Sequence, residues 1–141
     1  MAINKQIASS RSYVQQELHY NMGKINAAGS DIDASLLAYY YERVGWFRHL
    51  LGYSGDAIGA YKEAIRLCPD NHDYYMGCGN CYFLCGNYEK ALEYFNKSLD
   101  IHPYSTDAYS SRAETHEKLG NSKLAAADFK LAESYEGWED C

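Results

Sequence analysis

Apolar residues between positions 33 and 135 recur at the three-to-four-residue spacing that is typical of amphipathic helices. Short stretches rich in glycine, proline, asparagine and serine interrupt this pattern, and such residues favour turns and helix ends. The pattern therefore predicts six helices, near residues 33–51, 55–67, 72–85, 88–101, 106–119 and 122–135. We expect an all-α fold.

The same residue types return at intervals of 34 residues. They form a glycine, an alanine, an aromatic, a tyrosine and a proline column: Gly52, Gly86, Gly120; Ala57, Ala91, Ala125; Tyr61, Phe95, Phe129; Tyr41, Tyr75, Tyr109; and Pro69, Pro103. A plain helical bundle is the alternative fold, but bundles do not require columns that share one period. The period favours three stacked copies of one helix–turn–helix unit.

Each column has a physical role in such a unit. The glycine column follows the first helix, where a left-handed residue ends a helix without strain only if it is glycine. The alanine column lets two helices approach closely, and the aromatic column, one turn later on the same face, can fill the space between them. The proline column stops the second helix. Four side chains are placed to cap helices, namely Asn71, Asn87, Ser105 and Asn121.

The first 37 residues lie outside the repeats. Ile3, Ile7, Val14 and Leu18 fall on one helical face and predict an extra helix near residues 4–21, which caps the stack or folds into its groove. The apolar pattern is not extended beyond Leu18, so residues 22–30 read as a loop. Asp31 or Asp33 could then cap a long first repeat helix.

The predicted organisation is an N-terminal helix and loop at 1–37, repeats at 38–71, 72–105 and 106–137, and a short tail to residue 141. Trp138 in this tail either folds back onto the last helix or leaves an apolar face that invites self-association, so a homodimer is one expectation.

The composition narrows the function classes. Lys and Arg number 13 against 19 Asp and Glu, and the net charge of −6 disfavours a nucleic-acid partner. No run of about 18 apolar residues suggests a membrane span, and no secretory signal precedes the first helix. The odd count of five cysteines favours free thiols in a reducing compartment, so we expect the cytoplasm.

Chemistry-bearing side chains do not form a recognisable catalytic, cofactor or metal motif, and we expect no enzyme, cofactor or metal. Cys78, Cys81 and Cys85 fall on one helix, in columns that face the partner helix, and we interpret them as core residues, with redox or metal chemistry as the alternatives.

Arg112 and His116 also stand in columns that should be buried. Either they pair with a carboxylate, Glu117 or Asp128, or the third repeat is tilted and they reach a surface.

The repeats resemble the tetratricopeptide repeat, whose pattern is Trp-x2-Leu-Gly-x2-Tyr, then Ala-x3-Phe, then Pro, with this period. The second repeat is the best match, with Tyr75, Cys78-Gly79, Tyr82, Ala91, Phe95 and Pro103. The departures from the pattern are Arg48 in the first repeat and Arg112, His116 and Gly137 in the third. The resemblance covers residues 38–137 and implies a right-handed superhelical stack, a solenoid, with a concave groove along the first helices.

The resemblance also implies which positions line that groove. The first repeat contributes Tyr39, Glu42, Arg43, Trp46, His49 and Leu50. The second contributes Asp73, Met76, Gly77, Asn80, Phe83 and Leu84. The third contributes Asp107, Ser110, Ser111, Glu114, Glu117 and Lys118. Some of these side chains could instead pack against the N-terminal helix.

Large apolar groups surrounded by charge are typical of surfaces that bind protein partners. We therefore expect a scaffold or adaptor that binds a peptide or helix with apolar residues, alone or together with basic residues. Family members that clamp the acidic C-terminus of chaperones use basic groove residues, which are mostly missing here, so we do not expect such a clamp. A secretion-chaperone-like protein that shields an exported partner is the narrower alternative, and a cysteine-based redox or metal module is the weakest.

Overall fold

The computed structural model describes residues 2–138, and in its first helix the side chains of residue 6 and of residues 9 onward. This part of the chain folds into helices without a strand: α1 (Ala2–Ala27), α2 (Ala34–Leu50), α3 (Ser54–Leu67), α4 (His72–Leu84), α5 (Tyr88–Ile101), α6 (Thr106–Lys118) and α7 (Ser122–Tyr135). The structure comprises two compact units that divide between Pro69 and Asp70. In the first, α1 and α3 pack against α2. In the second, α4–α5 and α6–α7 form two helix pairs, and α6 packs against α5.

The six helices predicted from the repeat are confirmed, with ends that agree within a residue. Gly52, Gly86 and Gly120 have φ values of 86°, 78° and 79°, the left-handed conformation predicted for the glycine column. Asn71, Asn87 and Ser105 accept hydrogen bonds from backbone N–H groups of the helices that they precede, and Asp33 caps α2 in the same way. Asn121 is the exception, because its side chain makes no cap bond to α7.

The prediction that residues 22–30 form a loop was wrong for residues 22–27, because α1 continues to Ala27, and was right for residues 28–30. Val14, Leu18, Asn21 and Ile25 follow one another at helical spacing, so the stripe extends through a polar residue. Asn21 is buried and satisfies its amide within α1, since Nδ2 donates to the carbonyl oxygen of Glu17 at 2.7 Å. The prediction also placed Ile3 and Ile7 on this face, but their side chains are not among those that the structure describes.

Small residues determine how closely the two helices of a pair approach each other. A methyl group added at Gly79 would lie 2.6 Å from Cε1 of Phe95, and one added at Gly45 would lie 2.9 Å from the ring of Tyr61. Glycine is therefore required at both positions so that an aromatic ring can lie flat against the first helix. Tyr61 and Phe95 are buried accordingly.

The aromatic column behaves differently in the third repeat. Phe129 is 38% exposed, whereas Tyr61 and Phe95 are buried, so its ring is less enclosed than the prediction implied. Ala113 stands where the first two repeats have Gly45 and Gly79, and its methyl group removes the space for a ring. The neighbouring Asp128, in the column of Ala60 and Tyr94, is buried on α7.

Candidate interaction surfaces

The first unit exposes large apolar side chains on α2. Tyr39, Trp46 and Leu50 are between 40% and 51% exposed. The Trp46 ring stacks on His49 with centroids 5.7 Å apart, and the indole is 40% exposed. On the same helix Glu42 and Arg43 form an ion pair at 3.6 Å. The predicted groove residues of this repeat therefore form a surface with aromatic and charged parts.

The helix α1 borders this surface at one edge. A cleft of about 320 Å³ between α1 and α2 is lined by side chains that include Tyr20, Tyr39 and Arg43. Trp46 is not among the side chains that line this cleft. The packing of α1 therefore involves Tyr39 and Arg43 of the predicted surface and leaves Trp46 exposed.

The first helix of the second unit, α4, exposes a smaller apolar area. Leu84 is 58% exposed, and Phe83 is half-buried against the ring of Tyr88, with centroids 5.4 Å apart. Met76 is also partly exposed, and Asn80 is exposed between them in the sequence. This helix offers apolar contacts beside a neutral amide.

The first helix of the third repeat, α6, is polar along its predicted surface. Asp107, Glu114 and Glu117 are exposed, and Lys118 is the accompanying cation. Ser110 and Ser111 are half-buried. The apolar groups thus lie on α2 and α4, whereas α6 carries mostly negative charge.

Arg112 and His116 lie away from this surface. The guanidinium of Arg112 donates to both oxygens of Asp128, at 2.8 Å from Nε and 2.7 Å from Nη2, and its Nη1 donates to Asn96 at 2.9 Å. His116 Nε2 lies 3.8 Å from the same carboxylate. The hydrogen bonds to Asp128 raise the pKa of Arg112. The prediction of a pair with a carboxylate is confirmed for Arg112, with Asp128 as the partner.

The cysteines divide between core and surface. Cys78 and Cys81 are buried, as predicted, but Cys85 at the C-cap of α4 is exposed, and the expectation that it faces the partner helix was wrong. Burial raises the pKa of the Cys81 thiol to about 12, which opposes thiolate chemistry at that residue. Cys141 lies outside the described residues.

Two further observations concern alternatives raised by the sequence. Within residues 2–138, no cluster of three or more His, Cys, Asp or Glu side chains is arranged to hold a metal ion. None of the helices in the described chain combines the length and apolarity that crossing a membrane requires.

Trp138 folds back towards α7, which was the first of the two predicted alternatives for the C-terminal tail. Its ring lies 6.1 Å from that of Tyr135 and 6.2 Å from that of Tyr104, measured between centroids. The indole nevertheless stays 62% exposed. The contact therefore covers only part of this apolar side chain.

The first unit contains a cavity that was not predicted from the sequence. It lies between α1, α2 and α3 and has a volume of about 310 Å³. Ala60 lines it, whereas the residue 34 positions later is Tyr94. This change from a large ring to a methyl group in one column was the signal that could have revealed the cavity.

Paired helices that recur with a 34-residue period and expose side chains on their first helices define a helical repeat protein. The sequence model of the tetratricopeptide repeat matches residues 72–105, which is the second helix pair as the structure has it. The chain is a tetratricopeptide repeat protein.

Relatives of known description support this assignment. The chain is 30% identical over 99 residues to human tetratricopeptide repeat protein 6, an alignment that covers 67% of this chain and 19% of that protein. It is 38% identical over 76 residues to the translocon at the outer membrane of chloroplasts 64 from Pisum sativum, covering 54% and 13% of the two chains. The matched segments are thus less than a fifth of these relatives' own length.

Solved structures share the fold. A crystal structure of MamA superposes on 97% of this chain and 86% of its own, with a TM-score of 0.71 and 23% identity. The first repeat domain of Spaghetti (RPAP3), solved with the HSP90 peptide SRMEEVD, covers 77% of this chain and 85% of its own, with a TM-score of 0.71 and 22% identity. These similarities show the all-α tetratricopeptide repeat fold that the sequence predicted.

Proposed function

We propose that this chain is a protein-interaction module, a scaffold or adaptor that binds a peptide or helix of a partner on the first helices of its repeats. The observation that supports this proposal most directly is the exposure of Trp46 and Leu50 on α2. Tryptophan is enriched among the residues that dominate binding energy at protein interfaces. Leu84 on α4 provides a second apolar contact point.

The charge of these helices defines the chemistry of the partner. Among the predicted groove residues of α6, Lys118 is the one cation beside the exposed carboxylates. On α2, Arg43 already pairs with Glu42 and lies over the ring of Phe47. A ligand that carries Lys or Arg beside apolar side chains would compensate the negative charge. We therefore propose an apolar and basic segment as the ligand.

The same charge argues against an acidic chaperone tail as the ligand. The RPAP3 domain was solved with SRMEEVD, which carries two glutamates and a C-terminal aspartate. In this chain Asn80 stands where the family's carboxylate clamps use asparagine, but basic residues are missing from most of the other clamp columns. A titration with SRMEEVD should give no saturable binding, and tight, salt-sensitive binding would refute this part of the proposal.

The main experiment is affinity capture with mass spectrometry on the wild type and a Trp46→Ala, Phe83→Ala double variant. We expect specific partners to be lost in the double variant, since truncating an interface tryptophan commonly weakens binding at least tenfold. Leu124→Ala is the matched control, because Leu124 is a 54% exposed apolar residue on the second helix of its repeat. Circular dichroism should show unchanged helix content in all three proteins.

Undiminished capture by the double variant would place the interaction elsewhere on the chain and refute the proposal. Loss of capture with Leu124→Ala as well would point to non-specific apolar adhesion. Once a partner is identified, its segment should bind more weakly as the salt concentration rises, because surface charge pairs are screened.

A further inference from the structure

The column of Ala60, Tyr94 and Asp128 differs between the three repeats in what fills the space beside it. In the second repeat the ring of Tyr94 lies between Tyr75 and Tyr82, with centroids at 6.3 Å and 5.3 Å. In the third repeat the same position is Asp128, which bonds to Arg112. A ring and a salt bridge thus occupy this column in the second unit.

In the first repeat the corresponding residue is Ala60, and the space is a cavity of about 310 Å³. Gly59 lies beside it, and a methyl group added at Gly59 would meet no atom within 4 Å. The volume lies within the range of about 300–1,000 Å³ that is common for sites that bind small ligands. The first unit therefore contains room for a group that its own side chains do not supply.

The walls of the cavity are apolar on two sides. Val44 and Ala60 are buried and form the inner wall, while Met22 and Ile25 of α1 form the outer one. This apolar part of the lining favours an apolar group in a guest, because filling the space restores contacts that the lining atoms lack. The methyl and thioether groups of Met22 are well suited to contact the edge of an aromatic ring.

The cavity also has a polar part, which Asn26, Arg48 and Glu63 line. Arg48 lines it at the position that Tyr82 holds in the second repeat, and its Nη1 donates to the carbonyl oxygen of Asp56 at 3.2 Å. A guanidinium carries five donors, so others are available to a guest, and its plane can lie against a ring face. Tyr41 lines the same cavity, in the column of Tyr75.

We propose that this cavity binds an aromatic ring with a hydroxyl substituent, a phenol that takes the place Tyr94 fills in the second repeat. The phenol could be a free small molecule or the side chain of a tyrosine in a partner. Tyr41, Val44 and Arg48 share one face of α2, and Trp46 lies two residues from Val44, on the other side of the helix. The site is thus separate from the proposed protein-binding surface.

The first test is a titration of the ¹³C-methyl-methionine-labelled protein with p-cresol, the side-chain analogue of tyrosine, followed by NMR. The signal of Met22 should shift and saturate with a Kd in the millimolar range or below, while that of Met76 stays in place. Toluene, which lacks the hydroxyl, should bind several-fold more weakly. An unchanged Met22 signal, or a saturating shift at Met76 instead, would overturn the proposal.

The second test fills the cavity. Gly59→Leu should weaken p-cresol binding at least tenfold, while Gly55→Leu, on the same helix but outside the cavity, should bind as the wild type does. Equal binding by Gly59→Leu and the wild type would refute the site. If Gly59→Leu does not fold, Ala60→Tyr carries the same test, since it copies the second repeat.

The third test distinguishes the two sources of the phenol. N-acetyl-tyrosine amide carries the same ring on a peptide backbone. Binding tighter than that of p-cresol would support a tyrosine side chain as the guest, and weaker binding with p-cresol retained would support a free small phenol.

Discussion

Arg112 and Asp128 join the two helices of the third repeat through a bidentate ion pair, with Nε–Oδ2 and Nη2–Oδ1 distances of 2.8 Å and 2.7 Å. The side chain of Asp128 is only 6% exposed. The first repeat has Val44 and Ala60 in the same two columns. The same pair of positions is therefore apolar in the first repeat and an ion pair in the third.

Replacing Arg112 with valine should destabilise the protein by about 3 kcal/mol, because it leaves the carboxylate of Asp128 buried without its partner. The measurement is the free energy of unfolding in urea. The double variant Arg112→Val, Asp128→Leu replaces the pair with apolar side chains of similar total volume and should recover to within about 1 kcal/mol of the wild type. A double variant as unstable as the single one would contradict this account of the pair.

Gly79→Ala should cost about 1–3 kcal/mol, even though alanine is the better helix former, because its methyl group would lie 2.6 Å from the ring of Phe95. Gly59→Ala is the matched control. Gly59 is also inside a helix, but a methyl group there meets no atom within 4 Å, so the variant should be more stable by up to about 1 kcal/mol. Thermal unfolding of both variants tests the difference, and the same sign for both would argue against the close approach.

Stability should fall as the pH rises above 9. Burial raises the pKa of the Cys81 thiol from 9.0 to about 12, helped by the nearby Cys78 and Cys85. The folded protein therefore keeps a proton that the unfolded chain has already lost, so the free energy of unfolding decreases with pH in this range. By pH 10 the loss from Cys81 should be about 1 kcal/mol.

The variant for this test is Cys81→Ala, which should flatten the decline between pH 9 and pH 10 in urea titrations. Cys85→Ala, at an exposed position, should keep most of the wild-type slope. Burial also raises the pKa of Tyr94, so a further decline above pH 10 should remain in both variants. A wild-type slope in Cys81→Ala would show that this thiol is not the group responsible.

The outer flank of α7 is more polar than that of α5. Where α5 has Leu92 and the buried Leu99, α7 has Ala126 and Glu133 on either side of the exposed Phe129. Ala126→Leu with Glu133→Leu should recreate the apolar flank and cause concentration-dependent self-association, since a contiguous exposed apolar patch favours interfaces. Size-exclusion chromatography with light scattering measures the mass.

The control for this test adds the same two leucines elsewhere on α7. Ala127→Leu with Ser134→Leu has the same seven-residue spacing at two exposed positions and lies one residue further round the helix. This variant should associate less than the first. Equal association of both would mean that added hydrophobicity alone, rather than its place beside Phe129, causes the effect.

Local signals in the sequence determined the helices and their repeat. Gly86 ends α4 because the left-handed conformation has no side-chain cost for glycine, and Ser105 caps α6 because its hydroxyl reaches a free N–H. Such effects act within a few residues, so they are readable without a fold. The family resemblance added the expected position of each interaction surface, which stays a proposal.

The tertiary structure decided which side chains meet. Arg112 could have paired with Glu117 or Asp128, and only the packing of α6 on α7 selects Asp128. Asn21 is buried on α1, and the helix continues past it to Ala27, although the apolar pattern was not extended beyond Leu18. The cavity beside Ala60 depends on how the three consecutive helices α1, α2 and α3 pack together. Burial and pairing of this kind result from the distances between elements, and one residue's type does not specify them.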